Sequence, residues 1–327
     1  MTPSRSARSA SKDGAAPKPR AGRPRLGLDG RALHYTSPSV GRVGEIALGN
    51  APECRIGVYR RLILAWLGSH AHYVRWKMLG KGSYGVVYRF DSFVSGMKKH
   101  LAAYATENWR HVRGAVDDIP GADVALKISA RPDEPEFVRS FYASVLRELR
   151  VHAALTVAQP TVVDGVVFDI REFVPKLYFA GYDARKQALG VFMERVAGVP
   201  LFNIDLENQA IRREVRPLFV RAVLSLWLAG YFHMDLHNGN VLVDLSGDAP
   251  ALKIIDFGLA VEMPAAYVDD LRAYIDRLGQ LAAVHRFWET HGEAFADTVV
   301  HKREATLFDA GEYWSNITPL RAIDGRL

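Results

Sequence analysis

"LGKGSYGVVY", Leu79–Tyr88, places glycines at 80, 82 and 85 and a valine at 87. A dinucleotide-binding glycine loop joins a strand to a helix, yet β-formers follow Gly85 directly. A Walker loop ends in Gly-Lys-Ser/Thr, yet Val86 follows Gly85. What is left is a strand–loop–strand flap, in which glycines let backbone N–H groups approach phosphate oxygens without a Cβ in the way. A glycine pattern alone is common, so the reading depends on what the rest of the chain supplies.

Working outward, "HYVRWKML" (72–79) alternates as a strand into the loop and "VVYRF" (86–90) as a strand out of it. "VYRRLILAWLG" (58–68) reads as a short helix stopped by Gly68, and residues 91–120 as a helical insertion. "ADVALKIS" (122–129) is a strand, and "PEFVRSFYASVLRELRVHAAL" (135–155) has the apolar spacing of a long helix. "VPKLYFAGYD" (174–183) and "ALGVFMERV" (188–196) are two more strands. An apolar helix runs from about Arg212 to Ala229, before Gly230. "NVLVDLSGDAPALKIIDFG" (240–258) is a hairpin about a Ser-Gly-Asp turn, and "YVDDLRAYIDRLGQLAAVHRFW" (267–288) reads as one helix. A strand-rich first half and a helix-rich second half predict two lobes of an α+β fold.

Five groups then complete the phosphate chemistry. Lys127 follows an apolar "VAL" on a strand and is the ammonium for the phosphates. Lys98 and Lys99 lie closer to the loop, but "SGMKKH" makes a poor strand. Glu148, 21 residues after Lys127 on the long helix, is its partner. "HMDLHNGN" (233–240) sets Asp235 and Asn240 five apart, and Asp256 opens "DFG". Asn240 and Asp256 offer oxygen ligands suited to Mg²⁺ bridging phosphates. Asp235 is left to orient an attacking hydroxyl and take its proton. His233 reads as a structural histidine.

Gly80-x-Gly82-x-x-Gly85-x-Val87, Val124–Lys127, Glu148, His233-x-Asp235 with Asn240, and Asp256-Phe257-Gly258 occur in an order that resembles the protein-kinase superfamily. The resemblance runs from about Val74 to Leu281. It implies a small antiparallel β-rich lobe and a mainly helical, shortened second lobe. It also implies transfer of the γ-phosphoryl group of ATP, with Mg²⁺, to a hydroxyl of a protein, Ser or Thr. A small-molecule phosphotransferase and a nucleotide-binding scaffold are the alternatives. By the same resemblance, Asp235, Lys127, Asn240 and Asp256 are catalytic. The nucleotide pocket is formed by Leu79, Gly80, Gly82, Ser83, Gly85, Val87, Ala125, Lys127, Glu148 and Leu242. Met193 stands as gatekeeper, and the backbone of Glu194 and Val196 binds adenine.

Three departures qualify the resemblance. Met234 precedes Asp235, where regulated kinases carry an arginine that reads a phosphate on the activation loop. His237 stands where Ser/Thr kinases have a lysine; small-molecule kinases often show "DLH" there, as this chain does. No Ala-Pro-Glu follows Asp256; Asp269 or Asp270 is the candidate acid for bracing the catalytic loop.

Composition sets the remaining limits. Of 327 residues 49% are hydrophobic, enough for a large core. Cys54 is the one cysteine, which excludes a disulfide framework and points to a reducing, intracellular setting, cytoplasmic or nuclear. No apolar run of about 18 residues predicts a membrane span. The net charge of +6 resides in residues 1–25, where seven basic groups face Asp13; residues 26–327 carry 35 charges of each sign. That tail reads as a solvated arm, with nucleic-acid contact or a transit peptide as the functional alternatives. The expected organisation is a basic tail (1–28), an extension with a short helix (29–73), a β-rich lobe with the insertion at 91–120 (74–196), and a shortened helical lobe (197–327).

Overall fold

The central strand of the molecule, Val124–Ala130, buries six of its seven side chains, and Lys127 alone is partly open. A strand buried on both faces belongs in the middle of a sheet with a layer on either side. A computed structural model describes residues 52–302 except 82–84, 133–134 and 207, with backbone alone at 52–56, 135–137 and 292–302. The basic tail and most of the extension expected at 29–73 lie outside the described residues.

In chain order the elements as far as Glu194 are α1 (Pro52–Leu67), β1 (Trp76–Lys81), β2 (Gly85–Phe90), α2 (Ser95–Asn108), β3 (Trp109–Gly114), β4 (Val124–Ala130), α3 (Pro135–Val157), the short hairpin β5 (Thr161–Val163) and β6 (Val166–Phe168), β7 (Leu177–Asp183) and β8 (Ala188–Glu194). Then follow β9 (Val199–Pro200), α4 (Gln209–Leu228), β10 (Tyr231–Phe232), β11 (Val241–Asp244), β12 (Ala251–Ile254), β13 (Val261–Glu262), α5 (Ala265–Leu278) and α6 (Gln280–Lys302). The fold is α+β. Its first lobe is a six-stranded antiparallel sheet in the order β1-β2-β4-β8-β7-β3.

Strand alternation sorts this sheet into two faces. Val86, Tyr88, Phe90, Leu126, Ile128 and Phe192 point to one side, where α1 and α2 cover them. In α1 the buried residues Tyr59, Leu62, Ile63, Trp66 and Leu67 recur at helical spacing, as do Met97, Leu101 and Ala105 in α2. Helix α1 from the extension and helix α2 from the insertion are therefore the back layer of the sheet. Asp183, fully buried, ties that layer down by accepting hydrogen bonds from Trp66 Nε1 (2.8 Å) and Tyr104 Oη (2.9 Å). The opposite face carries α3, through Phe141, Val145 and Leu149 against Ala180, Leu189 and Val191.

Four expectations need correction. The insertion is not wholly helical: after α2 it adds β3, the edge strand beside β7. That strand bulges between Arg110 and Arg113, which destroys the alternation by which strands are read. The strand expected at 72–79 begins at Trp76, and the helix expected at 58–68 begins at Pro52. The helix expected at 267–288 is two helices, broken at Gly279 with φ 75°. The expected hairpin is present as β11 and β12, with Val241 opposite Ile254.

The second lobe packs α4, α5 and α6 around one core that includes Phe219, Val223, Trp227, Leu271, Ile275 and Phe287. Asn208 caps α4, its side chain accepting from the N–H groups of Ala210 and Ile211. No helix among the described residues is long and apolar enough to cross a membrane.

Candidate active site

Lys127 pairs across the sheet with Val87 on β2 and Val191 on β8, and Ala125 pairs with Met193. By alternation Val87, Ala125, Lys127 and Met193 share the α3 face of the sheet. Lys127 Nζ lies 2.6 Å from Glu148 Oε1 and 3.2 Å from Asp256 Oδ1. The strand, the long helix and the segment after β12 thus meet at one ammonium. Lys98, by contrast, sits on α2 behind the sheet and donates to the Asp117 carbonyl at 3.1 Å.

The charges in this cluster depend on one another. Burial works against the Lys127 ammonium, but Asp256 and Glu148 outweigh it and hold its pKa above the ordinary value. Burial also opposes the Asp256 carboxylate, and Lys127 outweighs it, so its pKa is lowered. Burial pushes the Glu148 carboxyl up, against the pull of Lys127.

The loop 233–240 is set by local hydrogen bonds. His233 Nδ1 accepts from the Asp235 N–H at 3.3 Å, so Nε2 carries the proton and donates to the Ile255 carbonyl at 2.9 Å. Burial lowers the His233 pKa to about 4. The Ile255 N–H in turn donates to the Asn240 carbonyl at 2.9 Å, so the residue before Asp256 is stitched to the loop from both sides. Asn240 Nδ2 donates to the Asp235 carbonyl at 2.9 Å and approaches Asp235 Oδ2 at 3.4 Å. Its amide nitrogen being engaged, Oδ1 is the ligand atom Asn240 offers. His237 Nδ1 accepts from the Gly239 N–H, which leaves Nε2 as its donor, 4.0 Å from Asp235 Oδ2. Burial lowers the His237 pKa, so the ring is neutral near pH 7.

Two backbone conformations here are unusual. Met234 (φ 63°) and Asp256 (φ 68°) both lie in the left-handed region, which costs an L-residue roughly 1–2 kcal/mol. Phe257 secures the second of these. It is buried, with its ring 5.6 Å from the His152 ring on α3 and 5.3 Å from that of His233. His152 is held by a 2.7 Å hydrogen bond to the Pro175 carbonyl, and burial lowers its pKa to about 4. The Gly258 carbonyl accepts from Ser144 Oγ and Arg147 Nη1, both on α3 and both at 3.1 Å.

The other expected positions distribute as follows. Leu79 and Gly80 lie on β1, where Gly80 faces open space. Gly82 and Ser83 lie outside the described residues. At Gly85 a Cβ would stand 2.4 Å from the Ile128 carbonyl oxygen, so its bareness also serves the close approach of β2 to β4. Glu194 ends β8, Val196 follows it, and Leu242 lies on β11 below. Lys253 Nζ reaches from β12 to Glu194 Oε2 at 3.3 Å and to the Val174 carbonyl at 3.0 Å, a strut under this crossing that sequence reading missed. His152, Ser144 and Arg147 were missed too. His152 was within reach, one helical turn after Glu148. Neither Asp269 nor Asp270 braces the loop: Asp269 pairs with Arg272 at 3.0 Å and Asp270 with His291 at 3.0 Å.

Among the described residues no cluster of three or more His, Cys, Asp or Glu side chains forms a metal site. Asn240 and Asp256 fit a different case, a Mg²⁺ that takes most of its ligands from phosphate and water. A family model described as the ABC1 atypical kinase-like domain matches residues 182–280, the stretch that holds the 233–240 loop and Asp256. No curated protein matches the chain.

Proposed function

We propose that the chain is an ATP-dependent phosphotransferase that passes the γ-phosphoryl group to a hydroxyl, a reading supported by the match of residues 182–280 to the ABC1 atypical kinase-like domain. The observation that carries this reading is the placing of Lys127 Nζ 2.6 Å from Glu148 and 3.2 Å from Asp256. Lys127 clamps the α- and β-phosphates while Glu148 fixes the ammonium. Asn240 and Asp256 would hold Mg²⁺, whose charge would offset that of the phosphates. Asp235 orients the acceptor hydroxyl and takes its proton. His237 Nε2–H, 4.0 Å from Asp235 Oδ2, offers one hydrogen-bond donor without adding charge. Positioning and charge neutralisation supply the rate, with little covalent work for the protein.

The acceptor we propose is a Ser or Thr hydroxyl of a protein, the reading supported by the glycine flap and by the β8 crossing at Glu194. A second reading, a small hydroxylated compound, is supported by the passage from Phe257 to Pro264. It holds only the short strand β13 before α5 begins at Ala265, leaving little chain to cradle a peptide. Incubation with γ-labelled ATP and Mg²⁺, offering proteins and small hydroxylated compounds in parallel, tests both. Label on protein supports the first acceptor and label on a compound the second. Nucleotide binding with no label on either sinks the phosphotransfer reading.

A further inference from the structure

Three consecutive residues, Asp256 to Gly258, are each tied to one face of α3. Ser144, Glu148 and His152 follow one another at intervals of four and Arg147 stands three after Ser144, the spacing of neighbours along a helix surface. Glu148 Oε1 lies 2.6 Å from Lys127 Nζ, which reaches on to Asp256 Oδ1 at 3.2 Å. The His152 ring lies 5.6 Å from that of Phe257. The Gly258 carbonyl accepts from Ser144 Oγ and Arg147 Nη1, both at 3.1 Å.

These links close a circuit. Burial opposes the Asp256 carboxylate, and Lys127 and a hydrogen bond from the Gly258 backbone favour it. The path runs from Glu148 through Lys127 and Asp256 to Gly258, and returns to α3 at Arg147, the residue before Glu148. Two donors on one carbonyl oxygen engage both of its lone pairs, and one of them is charged, which makes the stronger class of bond. Space is closed as well: a Cβ on Gly258 would stand 2.9 Å from Ser144 Oγ and 3.5 Å from Asp256 Oδ1. Asp256 needs such restraint. Its φ of 68° lies in the left-handed region, which an L-residue keeps only where its surroundings over-determine it. The carboxylate is held from one side by the ammonium and its backbone from the other by the clasp on Gly258. Arg150 reaches the same stretch only at the surface, 3.6 Å from Glu262, with both side chains more than half exposed.

We propose that Ser144 and Arg147 are positioning residues for the metal-binding carboxylate: by clasping the Gly258 carbonyl they keep Asp256 turned toward Lys127. This role rests on the reading of Asp256 as a Mg²⁺ ligand. The helix that fixes the ammonium then also fixes the metal ligand, so the two are set as one unit.

The test is titration of the full chain with a fluorescent ATP analogue, without and with Mg²⁺, beside labelled transfer and thermal unfolding. Wild-type affinity is expected to respond to Mg²⁺. Arg147→Met is expected to keep the Mg²⁺-free affinity within about twofold and to raise the Mg²⁺ concentration of half-effect at least about tenfold, and Ser144→Ala to raise it about threefold. Arg147→Lys, which keeps a charged donor, is expected to recover part of the loss. Arg150→Gln, which removes only the exposed pair, is expected to titrate as wild type. In transfer, Arg147→Met and Ser144→Ala are expected to lower kcat and leave the KM for ATP within about twofold. A wild-type Mg²⁺ response in Ser144→Ala/Arg147→Met overturns the positioning role and leaves the phosphotransfer reading standing. A fall in melting temperature with no change in that response does the same, because the clasp is then only structural support. Should the double variant fail to fold, Ser144→Ala and Arg147→Lys decide by the same criterion. A wild-type chain whose nucleotide affinity ignores Mg²⁺ overturns the metal role of Asp256 and the positioning role together.

Discussion

The two sides of the cleft are held by different forces. On the strand side, Lys127 and Glu148 belong to separate elements 21 residues apart and are joined by one buried ion pair. On the loop side, His233 to Asn240 and the approach to Asp256 are fixed by a mesh of hydrogen bonds reaching no further than 22 residues. Neutral histidines support that mesh and two left-handed residues interrupt it. The strand side is therefore open to attack by charge, the loop side by conformation and by protons.

The largest expected effect is on transfer. Lys127→Met and Asp256→Asn are each expected to lower labelled product by about a hundredfold or more, measured with γ-labelled ATP. Near-wild-type turnover in Lys127→Met would break the comparison at its first term. Next comes stability on the strand side. Without Lys127, Glu148 stays buried beside Asp256 with no cation. Lys127→Met is expected to remain folded but lose roughly 3 kcal/mol, and Lys127→Met/Glu148→Gln to recover more than half of that in urea denaturation. Additive losses would show that the pair is not coupled.

The loop side is expected to respond to acid. His152 and His233 are neutral when folded, with pKa values lowered to about 4 by burial, and take up protons near 6.5 when unfolded. Between those values the unfolded chain binds more protons, so stability is full above about pH 6.5 and falls as pH falls towards 4. Each histidine accounts for roughly 3 kcal/mol over the whole window, and a thermal midpoint flat from pH 7 to 4.5 would contradict the assignment.

Smaller still is the backbone effect at Asp256. Asn tolerates the left-handed region better than Ala, so Asp256→Ala is expected to be about 1 kcal/mol less stable than Asp256→Asn, both inactive. Reversed order in chemical denaturation would remove strain from the account. Phosphatase treatment is expected to change transfer least, within about twofold. Met234 is buried at 2% exposure and has no cation with which to read a loop phosphate.

How far the site was legible follows from the same division. The loop-side groups were readable because their spacing is nearly their geometry: Asp235 and Asn240 lie on one turn of chain, and Asp256 closes the adjoining hairpin. Lys127 was readable because a lone cation amid apolar strand residues has no bland explanation in a buried position. That Gly85 also lets β2 approach the Ile128 carbonyl of β4 was not legible, because composition does not say which atoms a bare Cα meets. Asp269 and Asp270 were candidates by order alone, and the helix they stand on turns them to Arg272 and His291.

The sequence by itself determined the lobes, the order of strands and helices about the cleft, and the polar groups that line it, since periodicity and residue chemistry are local properties. Only the tertiary structure decided that α1 and α2 form the back layer of the sheet. It alone decided that His152 and Phe257 couple α3 to the loop, and that Ser144 and Arg147 of the same helix meet the Gly258 carbonyl. Those depend on which surfaces meet, and packing between segments far apart in the chain leaves no period to read.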